Sequence, residues 1–113
     1  MNVTTAHVGR VVVLRVQESR LTYPILSDFA TTVAELISAG EQQILIDLAP
    51  VAYVDSATIG CLMDLYRQAH SAGGSLKLSG VQKRVETMLT MTGAQNFLEV
   101  YADEASALAR FGG

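Results

Sequence analysis

The stretch from Tyr53 to Ala69, YVDSATIGCLMDLYRQA, opens like the end of a strand and closes like an amphipathic helix. Ile59, Leu62, Met63, Tyr66 and Ala69 recur at helical spacing, while Asp64, Arg67 and Gln68 fall on the opposite side. At the joint, Val54 to Gly60 reads VDSATIG, with an acid and two hydroxyls (Asp55, Ser56 and Thr58) within four residues. A strand feeding a helix through so short a joint is half of a βαβ unit, and it places the joint at the carboxyl edge of a sheet. Two readings of the joint are open. Asp55 or Ser56 can cap the helix, a contribution of about 1 kcal/mol. Alternatively, a hydroxyl here can carry a phosphate directed at free N–H groups and the positive end of the helix dipole.

The flanking sequence repeats the alternation. VTTAHVGRVVVLRVQ reads as two strands around a turn near Gly9, the second from Val11 to Val16 and rich in β-branched residues. From Pro24, suited to a first helical turn, Ile25, Phe29, Val33, Leu36 and Ile37 describe a helix that stops at Gly40. Ile44 to Leu48 is a short apolar run, interrupted by Asp47, with hydrophobic residues on both faces, the signature of a central strand covered on both sides. After the AGG at 72–74, SLKLSGV predicts a strand. QKRVETMLTMTG then predicts a helix with Val85, Met88, Leu89 and Thr92 inward. NFLEVYA predicts a last strand, and Asp103 caps a short helix, EASALARF. The order ββαβαβαβα predicts an α/β fold, one domain over residues 1–113. Its central sheet is mixed but mostly parallel, with about five strands and about four helices.

Composition narrows the function classes. In 113 residues, 50% are apolar and 17% charged, a globular composition with a net charge of -3. Lys and Arg are scattered rather than gathered in a stripe interleaved with aromatics, so nucleic-acid binding has no support. The single cysteine, Cys61, cannot form an internal disulfide, and a reduced cytoplasmic setting is expected. The start MNVTTAHVGR lacks the basic and apolar regions of a signal peptide, and no apolar run approaches the ~18–20 residues of a membrane span. His7 and His70 have no second ligand at metal-binding spacing, so no metal or other cofactor is expected. Cys61 near a helix start could be a nucleophile, but a small half-buried hydrophobe is the favoured reading. No nucleophile elbow or phosphate-cradling glycine loop occurs, and no enzyme activity is expected.

From Ile44 to Leu108 the chain resembles the STAS domain, the fold of bacterial anti-sigma factor antagonists. That family has a strand ending in Asp-Ser-[Ser/Thr]-Gly-Leu-Gly, a helix, a GG, a strand, and a helix ending near Leu-x-x-[Thr/Ser]-Gly. The matching residues are Asp55, Ser56, Ile59 and Gly60, then Gly73-Gly74, then Met91-Thr92-Gly93. The resemblance implies that Ser56, directly after Asp55, is a phosphoacceptor. The implied partners are a serine kinase that is also the anti-sigma factor, and a serine phosphatase that reverses the modification. A weak homodimer is possible, and catalysis, nucleic-acid contact and membrane contact are not implied. Asp55, Ala57, Thr58, Gly60 and Thr22 are then supporting or partner-facing residues. Three of them depart from the pattern: Ala57 replaces a hydroxyl residue, Thr58 a glycine and Thr22 an acid. Thr58 thereby brings bulk and a second hydroxyl to the point where a kinase would approach. Those changes motivate an alternative without a phosphoswitch, a constitutive STAS scaffold or transporter-associated subunit. A nucleotide-binding module and an enzyme centred on Cys61 are more distant alternatives.

Overall fold

The computed structural model describes residues 1–111. Five strands form the main sheet: β1 (Val3–Val8), β2 (Val11–Val16), β4 (Gln43–Asp47), β6 (Ser75–Ser79) and β7 (Glu99–Tyr101). Their spatial order is β1-β2-β4-β6-β7. The hairpin β1–β2 is antiparallel, and every later pairing in this sheet is parallel. Four helices complete the fold: α1 (Tyr23–Ser38), α2 (Ser56–Ser71), α3 (Lys83–Met91) and α4 (Glu104–Leu108). The mixed, mostly parallel α/β architecture is the one the sequence predicts.

The core lies on both faces of the sheet, unequally. Val12, Leu14, Ile44, Ile46, Leu76 and Leu78 share one face, and Phe29 and Val33 of α1, Leu62 and Leu65 of α2 and Val85 and Leu89 of α3 join them in one buried cluster. On the other face Val11, Val13 and Leu45 pack with Ala107 of α4 and Phe111. Alternation in β2 and β4 divides these residues between the two faces. Residues 44–46 are buried from both sides, which is why that run carries no polar position. Lys77 faces the α4 side and is only 7% exposed; its ammonium donates to Glu99 Oε2 at 2.6 Å and lies 5.2 Å from the Phe111 ring centroid.

Three expectations change. β4 ends at Asp47, and the strand leading into the joint is a separate piece, β5 (Tyr53–Val54). It pairs in parallel with another short strand, β3 (Arg20–Leu21), in a second, two-stranded sheet. Pro50 cannot donate to a ladder, and the N–H groups of Ala52 and Tyr53 bond the Ser19 carbonyl, which starts this new pairing. Second, the final strand is shorter than predicted. Gly93 takes φ +77° and a 3-10 turn follows at Ala94–Asn96. The N–H groups of Phe97 and Leu98 both bond Ala94 O, leaving Phe97 56% exposed while Leu98 is buried. Third, Thr92 is exposed rather than inward, its hydroxyl donating to Met88 O at 2.8 Å.

Candidate functional site

The joint at the start of α2 is organised by Asp55. Its backbone is extended (φ -103°, ψ 176°) and it is the N-cap of α2. One carboxylate oxygen accepts from Thr58 N at 2.9 Å and from the Thr58 hydroxyl, 2.8 Å away. The other accepts from Tyr23 N, the first residue of α1, at 2.9 Å. A single side chain thus caps two helices 32 positions apart in sequence. α1 needs this, because its own N-cap residue, Thr22, makes no side-chain capping bond. Burial pushes the Asp55 carboxyl up, but hydrogen bonds from Tyr23 N–H, the Thr58 hydroxyl and Thr58 N–H outweigh it and hold the group below its ordinary value.

Thr58 lies beneath this arrangement, completely buried. Its hydroxyl, with one proton to donate, lies 2.6 Å from the Leu21 carbonyl and 2.8 Å from Asp55. The expectation that Thr58 offers a second hydroxyl and bulk to an approaching kinase is therefore corrected. Its side chain points inward and fastens β3 to the start of α2, a supporting role and not a partner-facing one. Of the two hydroxyls in VDSATIG, only Ser56 is exposed. Ser56 is the first residue of α2, and among the described residues its side chain makes no hydrogen bond.

Ala57 and Gly60 are exposed on the next part of α2 and line an open groove of about 690 Å³ between α1 and α2. Tyr23, Leu26, Ala30 and Cys61 line it too. A Cβ at Gly60 would meet nothing within 4 Å, so packing inside the chain does not require glycine there. Cys61 is half-buried, and burial together with the charge of Asp64 pushes its thiol above the ordinary value, away from thiolate character. Elsewhere, His7 contacts Glu41 at 2.6 Å and His70 stacks on Tyr66. Among the described residues no three metal-ligating side chains come together. No helix among them is long and apolar enough to cross a membrane.

The structure thus draws Thr22, Asp55, Thr58, Ala57 and Gly60 around the starts of two adjacent helices, with Ser56 exposed among them. Sequence reasoning missed Tyr23, 75% exposed at the mouth of the groove, and the Leu21 carbonyl that receives Thr58. An aromatic residue just before Pro24 at a helix start was the available signal for Tyr23. The Leu21 contact has no local signal.

The family model for the STAS domain matches residues 2–107. The chain belongs to the STAS family. A Thermotoga neapolitana relative named "Putative anti-sigma factor antagonist TM1081 homolog" is 28% identical over 74 residues, and the match spans 66% of this STAS chain and 66% of that relative. Among solved structures, a Thermotoga maritima protein described as "a putative anti-sigma factor antagonist" superposes with a TM-score of 0.88 at 22% identity, over 96% of this chain and 93% of the other. The Bacillus cell fate determinant SpoIIAA in its phosphorylated form gives 0.74 at 18% identity, over 96% and 98% of the two chains. At these identities the structural likeness is one of fold.

Proposed function

We propose that this STAS protein is an anti-sigma factor antagonist whose association with a switch serine kinase, itself the anti-sigma factor, is controlled by phosphorylation of Ser56. The observation that carries the reading is the division of labour at the joint. Asp55 and Thr58 make the capping and cross-linking bonds, and Ser56 stands exposed at the first helical position with its hydroxyl unused. Modification therefore breaks no bond that holds the fold. The Ser56 oxygen attacks the γ-phosphorus of ATP held by the kinase, the bond to the β,γ-bridging oxygen breaks, ADP leaves, and the hydroxyl proton passes to a base of the kinase. The phosphate, carrying nearly two negative charges, sits at the positive end of the α2 dipole and stays compatible with the helix. For a partner seated on the exposed starts of α1 and α2, the same charge is repulsive and costly to desolvate. A serine phosphatase restores the binding form by hydrolysis. In this reading the chain is a cytoplasmic binding protein and kinase substrate without catalysis of its own.

Recovery of the protein from its native cells with its bound partners, followed by mass spectrometry of the residue 55–67 region, tests the reading. A phosphate on Ser56 in the unbound fraction, and a small ATPase-type kinase in the bound fraction, are expected. Ser56→Ala should stay bound constitutively and Ser56→Asp should bind weakly. Phosphate on the Ser56→Ala protein at wild-type level would sink the site assignment. A transporter complex with Ser56 always unmodified would favour the constitutive scaffold instead.

A further inference from the structure

Beside the joint lies a patch that the phosphoacceptor reading does not use. Arg20 and Tyr53 are register partners in the β3–β5 pair, whose other two residues, Leu21 and Val54, are buried. Alternation turns Arg20 and Tyr53 outward on one face. The Arg20 guanidinium lies 4.5 Å from the Tyr53 ring centroid and that of Arg84 lies 6.0 Å from it. Lys83 precedes Arg84, and the two are the first residues of α3. Arg20, Lys83 and Arg84 are all exposed, and among the described residues none of them forms an ion pair. Arg15, Arg67 and Lys77, by contrast, each hold a carboxylate.

The placement gathers like charge. Two guanidinium groups share one ring, and among the described residues neither forms an ion pair. Lys83 and Arg84 stand at the positive end of the α3 dipole, where acids are favoured, on a helix with no side-chain cap at its start. The chain as a whole has 11 acids against 8 bases, so two guanidinium groups on one tyrosine, with Lys83 next to Arg84 in the chain, run against its overall charge. Glu86, in the first turn of α3, is the acid that helix places near its start. Stacking on a ring holds a guanidinium flat and leaves its N–H edge to engage a carboxylate through two parallel bonds.

We infer that the Arg20–Tyr53–Arg84 patch, with Lys83, is a docking surface for a run of Asp and Glu side chains on a protein partner. Charge complementarity selects that occupant. On a chain of net charge -3 the attraction is confined to this small patch, two stacked guanidinium groups and the adjacent Lys83. The patch is too short for an extended polyanion such as nucleic acid or an anionic membrane, and it matches a short acidic run. The patch is continuous with the joint, since Tyr53-Val54 leads directly into Asp55-Ser56 and Arg20-Leu21 into Thr22-Tyr23. The inference rests on reading the chain as a partner-binding protein, and not on Ser56 being modified. It also assigns an attractive role to the strand before Thr22, the position where the family pattern carries an acid.

The test is an NMR titration of the labelled protein with a short peptide alternating glutamate and serine, at an ionic strength of about 10 mM, where the screening length is roughly 30 Å. Amide shifts should centre on Arg20, Tyr53 and Arg84 and shrink at about 100 mM salt. The Arg20→Gln/Arg84→Gln protein should bind roughly five-fold or more weakly. Arg84→Gln alone, outside the β3–β5 pair, should show an intermediate loss. Ser56→Ala should titrate like the wild type, so a failed phosphoacceptor assignment is read separately from a failed patch. Shifts centred elsewhere, affinity unchanged in both arginine variants, or equal shifts with a lysine–serine peptide would each overturn the inference. So would inorganic phosphate, a DNA duplex or phosphatidylserine vesicles producing the same shifts at lower concentration than the acidic peptide.

Discussion

Two helices of this chain start on an aspartate, and they are built into the fold in different ways. Asp55 accepts from Tyr23 N and Thr58 N and so joins α2 to α1. The buried Thr58 hydroxyl, its one proton within reach of both Asp55 and the Leu21 carbonyl, ties the joint to β3. Asp103 caps α4 by accepting from Ser106 N at 2.8 Å, a bond inside the same turn. α2 runs for 16 residues against the core, whereas α4 has five, held by Ala107, Phe111 and the ion pair of Arg15 with Glu104. A cap with long-range partners makes a rigid platform, and an exposed group placed on it can change without disturbing the platform. A cap with local partners secures only its own turn.

The largest expected effect tests that difference directly. Asp55→Ala removes bonds to two helices and to Thr58 and should cost about 2–3 kcal/mol, against about 1 kcal/mol for Asp103→Ala. Denaturant unfolding of both variants measures the contrast, and equal losses would break it.

A smaller effect is expected at α4. Arg15 donates to both oxygens of Glu104, at 2.7 and 2.8 Å, in a half-exposed site. Glu104→Gln should therefore cost about 1 kcal/mol near neutral pH. The Arg15 hydrogen bond, with a second hydrogen bond to Asp47, holds Glu104 at about 2 against an ordinary 4.5. Its folded value is depressed, so its contribution is complete above about pH 4.5 and is lost as pH falls towards 2. Asp47 moves the opposite way, raised by burial and by Glu104, and partly offsets that dependence. Urea midpoints measured across this window should fall with pH in the wild type and flatten in Glu104→Gln. An unchanged slope would remove Glu104 as the source.

The smallest effect on stability sharpens the comparison from the platform side. Gly60→Ala meets open space within the chain and should stabilise α2 by up to ~1 kcal/mol through helix propensity alone. If the α1–α2 groove seats a partner, the same methyl should weaken partner binding, a change read by calorimetry. Stabilisation with undiminished binding would place the partner elsewhere.

Much of this was legible locally. The β-branched run of β2, the two-sided apolar run at 44–46 and the glycine stops at 40 and 93 are short-range patterns, and the main sheet with its four helices follows from them. That a helix starts at the Asp55-Ser56 pair was legible too. Local sequence leaves open whether Asp55 or Ser56 caps it, and the structure makes Asp55 the cap and Ser56 the first helical residue. Pro50 was visible, but the strand pair that follows it was not. Two residues carry no periodicity, and β3–β5 exists only because distant segments meet.

The sequence by itself determined the alternation of strands and helices, the strand-to-helix joint and the hydroxyls gathered there, since these depend on residues a few positions apart. Tertiary structure decided which hydroxyl is available. Thr58 is turned inward by a carbonyl 37 positions away, Asp55 is held by a helix start 32 positions away, and Ser56 alone remains outside. It also decided that Arg20 and Arg84, far apart in the chain, share the Tyr53 ring. The physical reason is the same in each case. Backbone periodicity is set within one or two turns, but the partner of a polar side chain is set by which segments the buried core brings together.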